Sequence, residues 1–172
     1  MPELVHKERL QPSLLDRLTD DEPGEQQESR DKRVLSPVRL RESALRDLGW
    51  LFNTTQLSAT QDLNGCPEVA KSVLNYGLPD LAGRTVSGID IPRFEALLKQ
   101  AIWDFEPRLL RNTISLRLIV NEDEMSHNAM SFIVEAELWS QPIPLQLYLR
   151  TEVDLEDGDF TVRELTNRRG EE

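Results

Sequence analysis

Few residues of this 172-residue chain combine the type and the spacing that chemistry requires. It has two histidines, His6 and His127, and one cysteine, Cys66. None of them stands at a metal-ligand spacing from another. A single thiol permits no intrachain disulfide, so a reducing, intracellular setting is expected, with Cys66 as a small apolar filler. No glycine-rich phosphate loop and no Gly-x-Ser-x-Gly elbow occurs. What remains is the stretch Asp104-Phe-Glu-Pro-Arg-Leu109. Asp104 and Glu106 stand two apart, and side chains at that spacing on a helix do not face each other, so they make a poor acid–base pair. A glycosidase would set Glu106, as acid, roughly 5–9.5 Å from a second carboxyl group. Nothing in the sequence picks that group out. The expectation is therefore no catalytic residue, no metal and no cofactor.

The elements around this stretch say where it must sit. Ile91, Phe94, Leu98, Ala101, Ile102 and Phe105 fall three or four apart and predict an amphipathic helix. Asp90 is its expected N-cap, and Pro92 is tolerated in the first turn. Pro107 disfavours helical geometry at Glu106, so the helix should end near Phe105. From Thr113 onward the pattern alternates, with Ile114, Leu116, Leu118 and Val120 on one side. Glu106-Pro107-Arg108 is thus the corner where a buried helix turns into a sheet. Its two charges are either a weak exposed pair at a helix end or, beside Phe105 and Leu109-Leu110, charges near a core that must be paired to each other or to a partner.

Towards the N-terminus, Ser13 should cap a short helix carrying Leu14, Leu15 and Leu18. Residues 22–33 contain no apolar side chain and read as a flexible linker. The leucine cluster is accordingly a small docking motif on a tether, folded back on the domain or docked elsewhere. Val34 to Val38 reads as an extended entry, and Glu42 or Ser43 as the start of a helix through Leu45, Leu48, Leu51 and Phe52. Glu68 to Leu74 reads as a short helix with Val69, Val73 and Leu74 inward, ended by Gly77 in a left-handed position. Met130 to Leu138, Leu145 to Leu149, and Phe160 with Val162 predict three more strands, the last preceded by the hairpin signal Asp157-Gly158. Helices first and an antiparallel meander second make an α+β fold: about four strands with helices packed on one face. The organisation expected is an N-terminal motif and linker over residues 1–33, a domain over 34–166 and a charged tail over 167–172.

The net charge of −11 is unevenly distributed: −3 over residues 1–33, zero over 34–112 and −8 over 113–172. An acidic sheet half argues against nucleic acid or an anionic membrane as a partner and suits a basic protein surface. No apolar run approaches the ~20 residues of a membrane span, and the charged N-terminus is unlike a signal peptide.

Three strings of residues carry a resemblance. Asp104-Phe-Glu-Pro-Arg-Leu109, between a helix and an alternating strand, resembles the Glu-Pro-Arg signature of the phage baseplate wedge "lysozyme-like" family. Pro12-Ser-Leu-Leu-Asp-Arg-Leu-Thr-Asp20 and Ser72-Val-Leu-Asn-Tyr-Gly-Leu-Pro-Asp-Leu81 are similar to its TssE group, the type VI secretion baseplate subunits. The resemblance runs from about Pro12 to Glu164. It implies a cytoplasmic structural protein, six copies per baseplate, docked on an inner-membrane complex without inserting in the membrane. It further implies that Glu106, Pro107 and Arg108 contact the helical bundle of the wedge proteins TssF and TssG. The sheet edge would then be the template for the contractile sheath proteins. A peptidoglycan-cleaving glycosidase with Glu106 as acid is the alternative.

Overall fold

Ile91–Phe105 forms the predicted central helix, α4, in the computed structural model of the chain. The structure describes residues 13–19, 24, 36–119, 129–140 and 143–165. The linker expected at 22–33 (Gly24 apart), the tail at 167–172, His6, His127, Val120 and the connection at 121–128 lie outside the described residues. Asp90 caps α4 by accepting from the Arg93 amide at 3.1 Å, and the helix stops at Phe105, one residue before Glu106. Phe94, Leu98, Ala101 and Ile102 are its buried stripe, each large side chain stabilising the fold by about 1.5–3 kcal/mol.

α1 is Leu14–Leu18, and α2 is Pro37–Phe52. The start of α2 corrects the sequence reading by more than a turn. Ser36 caps it by accepting from the Arg39 amide, and Pro37 occupies the first turn, where its missing N–H costs nothing. The Ser-Pro pair was a helix start, not an extended entry. α3, Pro67–Ala70, is also shorter than expected. Ser72 ends it and begins a separate 3-10 turn, Val73–Asn75, its hydroxyl accepting from the Leu74 amide. That break turns Val73 and Leu74 out to solvent instead of inward. Cys66 is exposed too, so it is no core filler. Gly77 does adopt a positive φ, +118°, and sits against α2's end, where Leu78 and Thr54 exchange a backbone hydrogen bond of 2.8 Å.

The sheet is an antiparallel meander in the order β1-β2-β3-β4, with β1 Ser115–Ile119, β2 Ala129–Leu138, β3 Leu145–Asp154 and β4 Phe160–Glu164. Met130, Phe132, Val134, Ala136 and Leu138 all point into the core, as their alternation demands. The helices cover that face. Phe94 of α4 meets Phe132 at 5.4 Å between ring centres, and Phe52 of α2 meets Phe160 at 5.9 Å. β3 runs longer than the sequence suggested, through buried Thr151 and Val153.

Candidate functional site

The corner after α4 is pinned to the end of β2. Leu109 bridges to Leu138, the Leu110 amide donates to the Glu137 carbonyl, and the Trp139 amide donates to the Arg108 carbonyl, both at 2.8 Å. Pro107 fixes the turn, so the side chains of Glu106 and Arg108 project from a rigid backbone. They project inward. Glu106 is 3% exposed, which removes the reading of a wet pair at a helix end. Its Oε1 accepts from the Arg108 backbone amide and from Arg108 Nε at 2.6 Å, and its Oε2 accepts from Nη2. A buried carboxylate needs such a partner.

Arg108 reaches further. Its Nη1 donates to the Ser43 hydroxyl at 2.8 Å and its Nη2 to Asp47 Oδ2 at 2.6 Å, both on α2. Burial opposes the guanidinium's charge, but the Glu106 and Asp47 carboxylates outweigh it and hold its pKa above the ordinary arginine value. Asp47 Oδ1 in turn accepts from Arg46 Nε at 2.9 Å, and Arg46 Nη1 donates to Asp16 Oδ1 of α1 at 2.6 Å. Asp16 Oδ2 accepts from the hydroxyls of Ser43 at 3.0 Å and Ser13 at 2.7 Å. Burial pushes the Asp16 carboxyl pKa up, yet the bonds from Ser13, Arg46 and Ser43 prevail and lower it to about 2. Tyr76 closes the knot from a third side. Its hydroxyl donates to the Asp47 carbonyl at 3.4 Å, and its ring stands edge-on to Phe105 at 5.1 Å. Burial, together with the charges of Asp47 and Glu106, raises the Tyr76 pKa.

The predicted residues of the corner therefore meet, paired to each other as charges near a core must be. Glu106 and Arg108 are joined to each other and to α2. Leu14, Leu15 and Leu18 are 71%, 42% and 75% exposed, on a helix that buries no residue and is held by Asp16. Trp50, half-exposed on α2, carries the Arg46 guanidinium at 5.1 Å from its ring centre. Sequence reasoning missed Asp16, Ser43, Asp47 and Tyr76. Ser43 and Asp47 stand four apart beside the apolar stripe of α2, a polar pair on one helix face that could have marked them.

Both Glu106 oxygens are occupied by Arg108, and Asp47 is bound to the same guanidinium, so this pair of carboxylates offers no cleft to a sugar. Among the described residues no group of histidines, cysteines and carboxylates could hold a metal ion. No helix among them is long and apolar enough to cross a membrane.

Buried charges thus tie α1, α2 and the corner after α4 together within this α+β domain. The chain belongs to the family of baseplate wedge protein gp25, whose family profile matches residues 38–143, from the start of α2 past the end of β2. That family is the one containing TssE, and its role is structural, in phage-tail-like baseplates. Neither the curated proteins nor the solved structures return a match.

Proposed function

We propose that this chain is a non-enzymatic structural subunit of a type VI secretion baseplate, of the TssE kind. It bridges the wedge proteins TssF and TssG and initiates assembly of the contractile sheath. The observation that carries this reading is a convergence. The three strings that carry the family resemblance, two of them similar to the TssE group, lie far apart in sequence, yet Asp16, Tyr76 and the Glu106–Arg108 corner gather around one pair of residues on α2, Ser43 and Asp47. That cluster is joined through Asp16 to α1, the helix that carries the exposed leucines.

In this reading Leu14, Leu15 and Leu18 enter an apolar groove of the wedge complex, and Glu106, Pro107 and Arg108 form the base they stand on. The arm over residues 1–33 serves docking and the domain over 34–166 serves packing within the wedge. The chain works in the cytoplasm, six copies per baseplate, in an assembly docked on the inner-membrane complex. The sheath begins on a sheet edge. The edge at β4 is closed at its start, where Asn53 bonds both the amide and the carbonyl of Phe160 at 2.8 and 2.9 Å. Among the described residues the edge at β1 is met by one side-chain hydrogen bond, the Leu118 amide to Glu95 at 3.3 Å, and is the easier one for a partner strand to join.

Co-expression with TssF and TssG, followed by purification through a tag on this chain, tests the reading; recovery of all three supports it and recovery of this chain alone opposes it. Turbidity of purified cell wall separates it from the glycosidase alternative. Clearing by the wild type and not by Glu106→Gln would restore an enzyme; the occupied, buried state of Glu106 favours no clearing.

A further inference from the structure

The partner-facing leucines and the buried corner are joined by a chain of hydrogen bonds whose polarity runs one way. Arg108 Nη1 can only donate, so the Ser43 hydroxyl must accept from it, and its one proton is left for the Asp16 carboxylate, which can only accept. A second route leaves Arg108 Nη2 for Asp47, continues to Arg46 and ends on the other oxygen of Asp16. The two routes close a ring on both oxygens of one carboxylate. Ser13 supplies the remaining bonds and shapes α1 through a reciprocal capping box with Asp16. With Asp16 turned inward, Leu14 and Leu18, four apart, share the outward face.

From this ring we infer that Arg108 is a positioning residue. It acts through Ser43 and the Asp47–Arg46 pair on Asp16, and so sets the pose in which α1 presents its leucines, without touching the partner itself. The guanidinium has its fork committed to Glu106, Ser43 and Asp47 within its own chain, which leaves the signature corner little to offer an incoming surface directly. The inference rests on the proposed wedge reading only for the identity of what the leucines meet; the pose of α1 is a property of the free protein.

The test uses the full chain. Arg108→Lys keeps a charge beside Glu106, but one ammonium cannot serve the three acceptors that the planar fork serves. Ser43→Ala cuts one route while leaving Glu106 and Arg108 paired, and stands in if the lysine variant fails to fold. Two quantities are read: the titration of the Asp16 carboxyl by carbon NMR, and amide exchange at Arg17 and Thr19, whose N–H groups bond the carbonyls of Ser13 and Leu15. In both variants the Asp16 titration should move from about 2 towards its ordinary 3.8, and the two amides should lose protection by about tenfold. Affinity for the co-purified TssF–TssG complex should fall by the same factor in Arg108→Lys, in Asp16→Asn and in the double variant, because the two residues act in one line. Unchanged Asp16 titration and exchange in the variants would overturn the inference, as would losses of affinity that add. If Asp16 responds as expected while the wild type binds no wedge protein, the ring stands and the wedge reading falls.

Discussion

Arg108 and Ser43, 65 positions apart in sequence, share a 2.8 Å hydrogen bond, and the same Ser43 hydroxyl holds Asp16 at 3.0 Å. One small side chain on α2 thus links the corner after α4 to the helix at the N-terminus. Arg108→Ala removes the donor side of that link and leaves Glu106 buried without its cation. Breaking one partner of a buried pair costs about 3–5 kcal/mol. Chemical denaturation of the isolated chain should report a loss of that size. A loss below about 1 kcal/mol would place the pair among ordinary surface ion pairs.

Acid should release α1 before it unfolds the domain. The Asp16 carboxyl is held at about 2, below its ordinary 3.8. Because the docked state lowers the pKa, its contribution is full above pH 3.8 and is lost as the pH falls through about 2. Water reaches part of the site, so the contribution is at most about 2 kcal/mol. Amide chemical shifts of Arg17 and Thr19 followed from pH 5 downward should move in that window, ahead of the loss of aromatic tertiary signal. Shifts that stay flat until global unfolding would show that Asp16 does not hold α1.

Gly77→Ala should destabilise the domain by at least about 2 kcal/mol. At φ +118° a Cβ would stand 2.0 Å from the Thr54 carbonyl oxygen, which belongs to the backbone and cannot swing away. The segment it displaces carries Tyr76 over Asp47, so the variant should also lower the hydroxyl titration of Tyr76 from its raised position. An unchanged denaturation midpoint would mean that this junction is looser than its geometry.

Much of this architecture was legible in the residues. The period of Ile91 to Phe105, with Asp90 before it and Pro107 after, determined α4 at both ends, because cap, stripe and stop all act locally. The alternation of Met130 to Leu138 likewise identified β2 and the face it buries. The start of α2 lies ahead of the apolar stripe that begins near Glu42, because Ser36 caps the helix and Pro37 after a capping serine opens it. The partners of Arg108 were not legible. Pairing across tens of residues depends on how α1, α2 and the corner pack, and local periodicity carries no record of it. The exposure of Val73 and Leu74 was hidden for a related reason: apolar character forecasts burial only if the backbone keeps the helical phase, and Ser72 broke it.

Sheath assembly in vitro should begin sooner on baseplates that contain this chain than on baseplates lacking it. A strand can join β1 by displacing the hydrogen bond between Glu95 and the Leu118 amide, whereas β4 is held by Asn53. Glu95→Ala should shorten the lag further, and Asn53→Ala should leave it unchanged at equal stability. Equal lag times with and without the chain would remove the template role.

The affinity of the full chain for the TssF–TssG complex, with Leu14, Leu15 and Leu18 intact and with all three replaced by serine, tests the central claim most directly. α1 buries none of its own residues in the domain, so the triple variant should melt within a degree or two of the wild type. Binding should nonetheless weaken by about a hundredfold or more, the equivalent of burying two or three leucines in a partner. Equal affinity of the two proteins would contradict the account, for the leucines would then be exposed without purpose.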